Sequence, residues 1–131
     1  MQTVMSGTGI FAPEEQVSND ELVIAFNQYV DNYNSAHAAE IDSGKIAALD
    51  HSSSDFIFKA SGIERRYVLN KSGIIDPDKL APVLAERTNE EISVLAEIGV
   101  KAAKKALDDA SLTADDIDAV IVACSNMQRA Y

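Results

Sequence analysis

Tryptophan is absent from this chain, and cysteine occurs once, at position 124. A lone cysteine closes no internal disulfide, which excludes a stapled secreted scaffold and suits a reducing, cytoplasmic setting. The two histidines, His37 and His51, have no metal-ligand spacing to Cys124, so no zinc motif is formed. Positive charge is scarce: 11 Lys and Arg stand against 21 Asp and Glu, for a formal charge of −10. Such a balance releases no phosphate counterions and disfavours nucleic acid as a partner. What basic charge there is gathers at Lys59, Arg65, Arg66 and Lys71. No apolar run is long enough to span a membrane. The opening MQTVMSG lacks a basic segment followed by an apolar one, so no secretory signal is expected.

Apolar residues make up 47% of the 131, enough for one globular α/β domain with a core. Ile117 to Ser125 (IDAVIVACS) reads as an apolar strand without alternation, the pattern of a strand buried on both faces of a parallel sheet. Thr3 to Gly9 predicts a first strand that turns through Gly7 and Gly9 and closes at Pro13. Its GTG lacks the third glycine opening a helix, which sets nucleotide binding there aside. Ser18-Asn19-Asp20-Glu21 is a capping box, followed by an apolar face at Leu22, Ala25, Phe26, Tyr29 and Val30. Residues 37–51 read as an insertion or loop with at most a short helix, its histidines solvated. A short helix starting near Ser54 or Asp55 ends at Gly62, and Arg65 to Leu69 gives a second strand. Residues 72–87 form a second insertion or loop marked by Pro77 and Pro82. Thr88-x-x-Glu91 predicts another capping box, with a helix to Ala110. That helix carries a stripe of small residues at Ala96, Gly99, Ala103, Ala106 and Ala110, which lets a neighbouring backbone come close. Thr113 to Asp116 is a tight polar turn. The order is β-α-(insertion)-β-α-β, which favours a mostly parallel sheet with right-handed crossovers.

Within these residues no complete catalytic set is found. Cys124 lies at the end of an apolar strand with no base and no following helix N-terminus, and reads as a buried structural cysteine. The carboxylate pairs Asp115-Asp116 and Glu90-Glu91 read as helix caps and dipole partners.

Three stretches taken together carry a resemblance. GTGIFAPEEQVSNDEL, SSSDFIFKASGIERRYV and DIDAVIVACSNMQRAY, in that order, resemble the N-terminal portion of a β-ketoacyl-acyl-carrier-protein synthase III-type condensing enzyme. Each motif is weak alone and specific in combination; residues 37–51 and 72–87 are longer than in the usual member. The resemblance implies a thiolase-like layered fold, of which residues 1–131 are an incomplete N-terminal half, in a cytoplasmic homodimer. It implies a decarboxylating Claisen condensation of an acyl thioester with malonyl-carrier protein in fatty acid biosynthesis. No cofactor is implied; acyl-coenzyme A or acyl-carrier protein is substrate. The expected partners are the remainder of the same enzyme, a second subunit and the acyl carrier protein. The nucleophilic cysteine and its His and Asn are expected beyond Tyr131, so no catalytic residue falls within the chain.

Residue by residue, the resemblance puts Phe56 where a tryptophan stacks on the adenine of coenzyme A. Phenylalanine keeps a stacking face with less area and no N–H. Ala60 replaces the arginine on the other side of that base, and Lys59 supplies a nearby charge. Ser61 matches a small hydroxyl beside the coenzyme, and Arg66 the arginine of the S-G-I-x-x-R turn. Ser125 opens the acyl pocket, and Tyr131 is the aromatic that limits chain length in the partner subunit. Against these stand packing roles for Phe56 and Phe58, a strand-end cap for Ser125 and a frayed terminus for Tyr131. A non-catalytic α/β interaction or scaffold module is the alternative from another class. Thiolase-fold relatives making polyketide or head-to-head products are a third.

If Tyr131 closes the acyl tunnel, Tyr131→Ala in the complete enzyme favours longer primers by about 0.8 kcal/mol per newly buried methylene. A ladder of acyl primers compared by kcat/KM checks this; an unchanged profile removes Tyr131 from the pocket.

Overall fold

The computed structural model describes residues 3–124. Ser125 and Tyr131 therefore lie outside the described residues. The chain divides into two compact units, Pro13–Ala85 and the pair of segments Met1–Ala12 with Glu86–Tyr131.

The first unit is built on α1 (Asn19–Ala36), which the strand β1 (Glu15–Ser18) enters directly. Ser18 is both the last strand residue and the helix N-cap. Its hydroxyl accepts from the Glu21 N–H at 3.2 Å, while the Glu21 carboxylate accepts from the Ser18 N–H at 2.9 Å. The capping box expected from the sequence is therefore formed. The inward face of α1 carries Ala25 and Val30, which with Val17 of β1 are the buried apolar side chains among the described residues. Tyr29, Tyr33 and His37 continue the helix as a run of ring contacts, the last a stacked pair with centroids 4.2 Å apart. A short helix, α2 (Ala38–Asp42), follows.

The remainder of this unit is fastened to the polar face of α1. Asn34 and Asn27, about two helical turns apart, each make a two-way amide pair with a backbone. Asn34 donates to the Leu49 carbonyl and accepts from the Leu49 N–H, both at 2.9 Å. Asn27 does the same with Ser52, at 3.1 and 2.8 Å. His51 sits between them against Asp31 at 2.8 Å. Residues 37–51 are thus a strap laid along α1, and His51 is solvated, as expected, while also pairing with Asp31 at the surface. The strap delivers the chain to α3 (Ser54–Ser61), capped by the Ser53 hydroxyl and closed by Gly62 in the left-handed conformation at φ 69°. Glycine carries no Cβ penalty there. Then β2 (Arg65–Val68) pairs with β1.

This pair corrects the expectation of a mostly parallel sheet. Among the described residues the sheet has two strands, and they are antiparallel, with Ser18 opposite Arg65 and Glu15 opposite Val68. The direction follows from α3: it returns the chain beside the start of α1, where Asn19 N–H donates to the Glu64 carbonyl at 3.1 Å. The loop 72–87 folds back through an Ala81 N–H to Gly73 carbonyl bond. Its Ile74 and Leu80 join Leu22, Val23, Phe26 and Ile57 around an apolar hollow of about 340 Å³.

The second unit centres on α4 (Val94–Ala110). Its cap is Ser93, whose hydroxyl accepts from the Ala96 N–H, and not Thr88. Thr88 to Glu91 closes a turn of its own, with the Thr88 N–H donating to the Glu91 carboxylate at 2.8 Å. Glu90 and Glu91 therefore precede the helix. Thr3 to Gly9 is not a strand here; it runs beside α4. A Cβ on Gly7 would collide with the backbone of Ala106 and Ala110, and one on Gly9 with that of Ala102 and Ala106. The small-residue stripe thus receives a backbone at its C-terminal end, whereas Gly99 faces open space. The Thr8 N–H donates to Asp109 at 2.9 Å, and the Lys101 ammonium lies 4.9 Å from the centre of the Phe11 ring.

Residues 117–123 form no ladder among the described residues, and Val120, Ile121 and Val122 are 80, 95 and 81% exposed. Cys124, expected in the core, is exposed too. A strand is buried by the neighbours that pair with it, and its apolar sequence alone does not supply them.

Asn27→Ala should cost about 1–3 kcal/mol, because it strands both polar groups of Ser52. Denaturant melts of the variant check this; an unchanged midpoint would mean that the strap is held elsewhere.

Candidate functional site

The expected binding residues Phe56, Lys59 and Ser61 all fall on α3. Three positions apart, Phe56 and Lys59 share a face of it. Phe56 is 66% exposed and Lys59 is exposed, so the packing role for Phe56 is not the one it plays in this unit. That role belongs to Ile57, which lines the apolar hollow against α1. Phe58, 47% exposed, borders a separate polar hollow of about 220 Å³ with Asn19, Asp20, Asp55 and Glu64. Ala60 is exposed and presents no charge beside Phe56.

Ser61 is placed less freely. Its hydroxyl donates to the Ile57 carbonyl at 2.7 Å and accepts from the Ile63 N–H at 3.2 Å. The one proton is committed to the helix end, so toward a ligand Ser61 can act only as an acceptor. The face on offer is therefore an aromatic plane with an ammonium one turn away, while Ser61, five positions after Phe56, lies on another side of the helix at its end. It suits a planar ring linked to an anion: stacking is supplied by the ring, and charge attraction by the lysine.

What the sequence reading missed is the anchorage of this helix. Asn19 is 6% exposed, and its side-chain amide donates to the Ile63 carbonyl at 2.7 Å while its oxygen accepts from Arg66 at 2.8 Å. Asp20, the next residue, accepts from the Ser54 hydroxyl at the other end of α3. The N-D-E-L and S-G-I-x-x-R motifs are thus parts of one joint. Arg66, the arginine of the S-G-I-x-x-R turn, donates to Asn19 at the head of α1, a partner the sequence did not reveal.

Beside the joint, Glu21 meets the Lys71 ammonium at 2.9 Å. The Ser18 N–H, then Lys71 and the Ser18 hydroxyl, lower the Glu21 carboxyl from 4.5 to about 2. Lys71 is raised in turn, mainly by its hydrogen bond to Glu21. In the other unit Glu97 is likewise lowered to about 2, by Lys101 and then Arg87.

The chain matches no family model. It is 55% identical over 107 residues, 82% of its length, to the beta-ketodecanoyl-[acyl-carrier-protein] synthase of Pseudomonas aeruginosa. It spans 31% of the length of that protein.

Both glutamates have folded-state values below their unfolded ones. Their stabilisation is therefore complete above about pH 4.5 and is lost as the pH falls toward 2. Denaturation midpoints followed from neutral pH downward should drop mainly across that window. Glu21→Gln should start lower and flatten part of the drop; an identical slope in the variant would show that Glu21 is not coupled to folding.

Proposed function

We propose that these 131 residues are part of a 3-oxoacyl-acyl-carrier-protein synthase III-type acyltransferase with a thiolase-like fold. The identity of 55% over 107 residues to a beta-ketodecanoyl-[acyl-carrier-protein] synthase carries this reading. The joint between the two motifs supports it, since both are parts of one structural device. The reaction is a decarboxylating Claisen condensation of an acyl thioester with malonyl-carrier protein, in fatty acid biosynthesis. In that reading α3 is the landing face for the thioester's coenzyme. The Phe56 ring stacks on the adenine, Lys59 attracts the phosphates, and Ser61 accepts a hydrogen bond. Ser125 and Tyr131 belong to the acyl pocket.

The nucleophile is not assigned to this chain. Forming the acyl-enzyme needs a thiolate, activated by a base or by a helix N-terminus, that attacks the acyl thioester and expels its thiol; the carbanion left when the malonyl unit loses carbon dioxide then attacks that acyl-enzyme and releases the thiolate. Cys124, on an exposed apolar segment, is not given that role. The proposed partners are the remainder of the enzyme, a second subunit and the acyl carrier protein. The apolar groove of the second unit, about 600 Å³ and lined by Val100, Ala103, Leu107, Ile117 and Val120 among others, is surface that such an assembly would cover. A cytoplasmic location belongs to the same proposal.

Incubated with acyl-coenzyme A, the purified 131-residue chain should acquire no acyl group by mass spectrometry, and Cys124→Ala should behave identically. Stoichiometric acylation that disappears in Cys124→Ala would overturn the assignment of the chemistry to other residues.

A further inference from the structure

We infer that Asn19 and Asp20 are positioning residues for coenzyme binding: two consecutive residues at the head of α1 hold α3 at both ends and so aim Phe56 and Lys59. This rests on the reading of α3 as the coenzyme's landing face.

A helix of eight residues does not hold its own geometry in water, because the nucleation cost is repaid only over longer helices. The orientation of α3 must come from what fastens it. Its exposed face provides none of this, since Phe56 and Lys59 both point to solvent. At the entry, Asp20 accepts from the Ser54 hydroxyl. At the exit, the Asn19 side chain reaches the Ile63 carbonyl at 2.7 Å, its N–H reaches the Glu64 carbonyl at 3.1 Å, and its oxygen takes the Arg66 guanidinium at 2.8 Å. The Asn19 side-chain amide thus both donates and accepts in a nearly buried setting, where hydrogen bonds are strong and directional. Between these tethers Ile57 packs into the hollow against Leu22, Val23 and Phe26. With the helix clamped at two ends and seated in the middle, little rotation about its axis remains, and rotation is what would turn Phe56 away from a bound ring.

A residue that acts through Phe56 matters only while Phe56 is there. The test is a mutant cycle in the full-length protein, with coenzyme A as the probe and affinity read by titration calorimetry. Asn19→Asp keeps the shape but loses the donor to Ile63. Asp20→Ala removes the entry tether at an exposed position, and Asp20→Asn restores an acceptor there. Asn19→Asp and Asp20→Ala should each weaken coenzyme A by about tenfold, and Asp20→Asn should recover most of the loss. In a Phe56→Ala background, itself weakened, the same changes should alter affinity by less than about twofold. Their effect on the melting temperature should persist in both backgrounds. If Phe56→Ala weakens coenzyme A but the Asn19 and Asp20 variants do not, or weaken it equally without Phe56, the positioning role is wrong and the landing face stands. If Phe56→Ala leaves coenzyme A affinity unchanged, the landing face itself is wrong.

Discussion

The first unit depends on one nearly buried side chain. Asn19 sits where a strand becomes a helix, and its three hydrogen bonds reach residues 63, 64 and 66. An apolar residue there would leave the Ile63 carbonyl and the Arg66 guanidinium without this partner, at roughly 1–3 kcal/mol for each group left buried. The register of the two strands follows from the same contact, since Asn19 adjoins Ser18 and Ser18 lies opposite Arg65. So does the place of α3, whose far end is held by the neighbouring Asp20. A polar hub thus does for this small unit what a thin apolar core, limited to Val17, Ala25 and Val30 among its described residues, does not do alone.

The second unit poses the opposite problem. No residue of α4 is buried, and the segment that follows its polar turn exposes Val120, Ile121 and Val122 almost completely. These are β-branched side chains of the kind that fill sheet interiors. The close approach of Gly7 and Gly9 to the α4 backbone occupies the end of the small-residue stripe and leaves Gly99 open. Apolar surface on this scale is usually covered by other protein.

Much of the first unit was legible because its signals are local. The Ser18–Glu21 capping box, the Gly62 cap, the short α3 and the strand at Arg65 each need only a few neighbouring residues to be recognised. Thr88-x-x-Glu91 misled because the Glu91 carboxylate on the Thr88 N–H, with the Glu91 N–H on the Thr88 carbonyl, also closes an isolated turn, while Ser93 makes the actual cap. Non-local features were harder. Asn27 and Asn34 were not singled out in the sequence as anchors, yet each binds a backbone segment from beyond α1. Their spacing of about two turns was the available clue, since it keeps them on one face. The mostly parallel sheet was inferred from the apolar run at 117–123, whose pairing partners no local pattern can supply. At the candidate site, the resemblance to a condensing enzyme marked an aromatic, a lysine and a serine on one helix. It could not show that the Ser61 proton is already spent on the Ile57 carbonyl.

The central claim is that α3 presents Phe56 to the adenine of a coenzyme A thioester. Saturation-transfer difference NMR measures that contact directly: the protein's aromatic protons are irradiated and signal is read on the adenine protons of coenzyme A. The account predicts strong transfer to the adenine protons, lost in Phe56→Leu, which keeps the apolar bulk but removes the ring. Transfer of equal strength in Phe56→Leu, or transfer confined to the pantetheine arm, would contradict it.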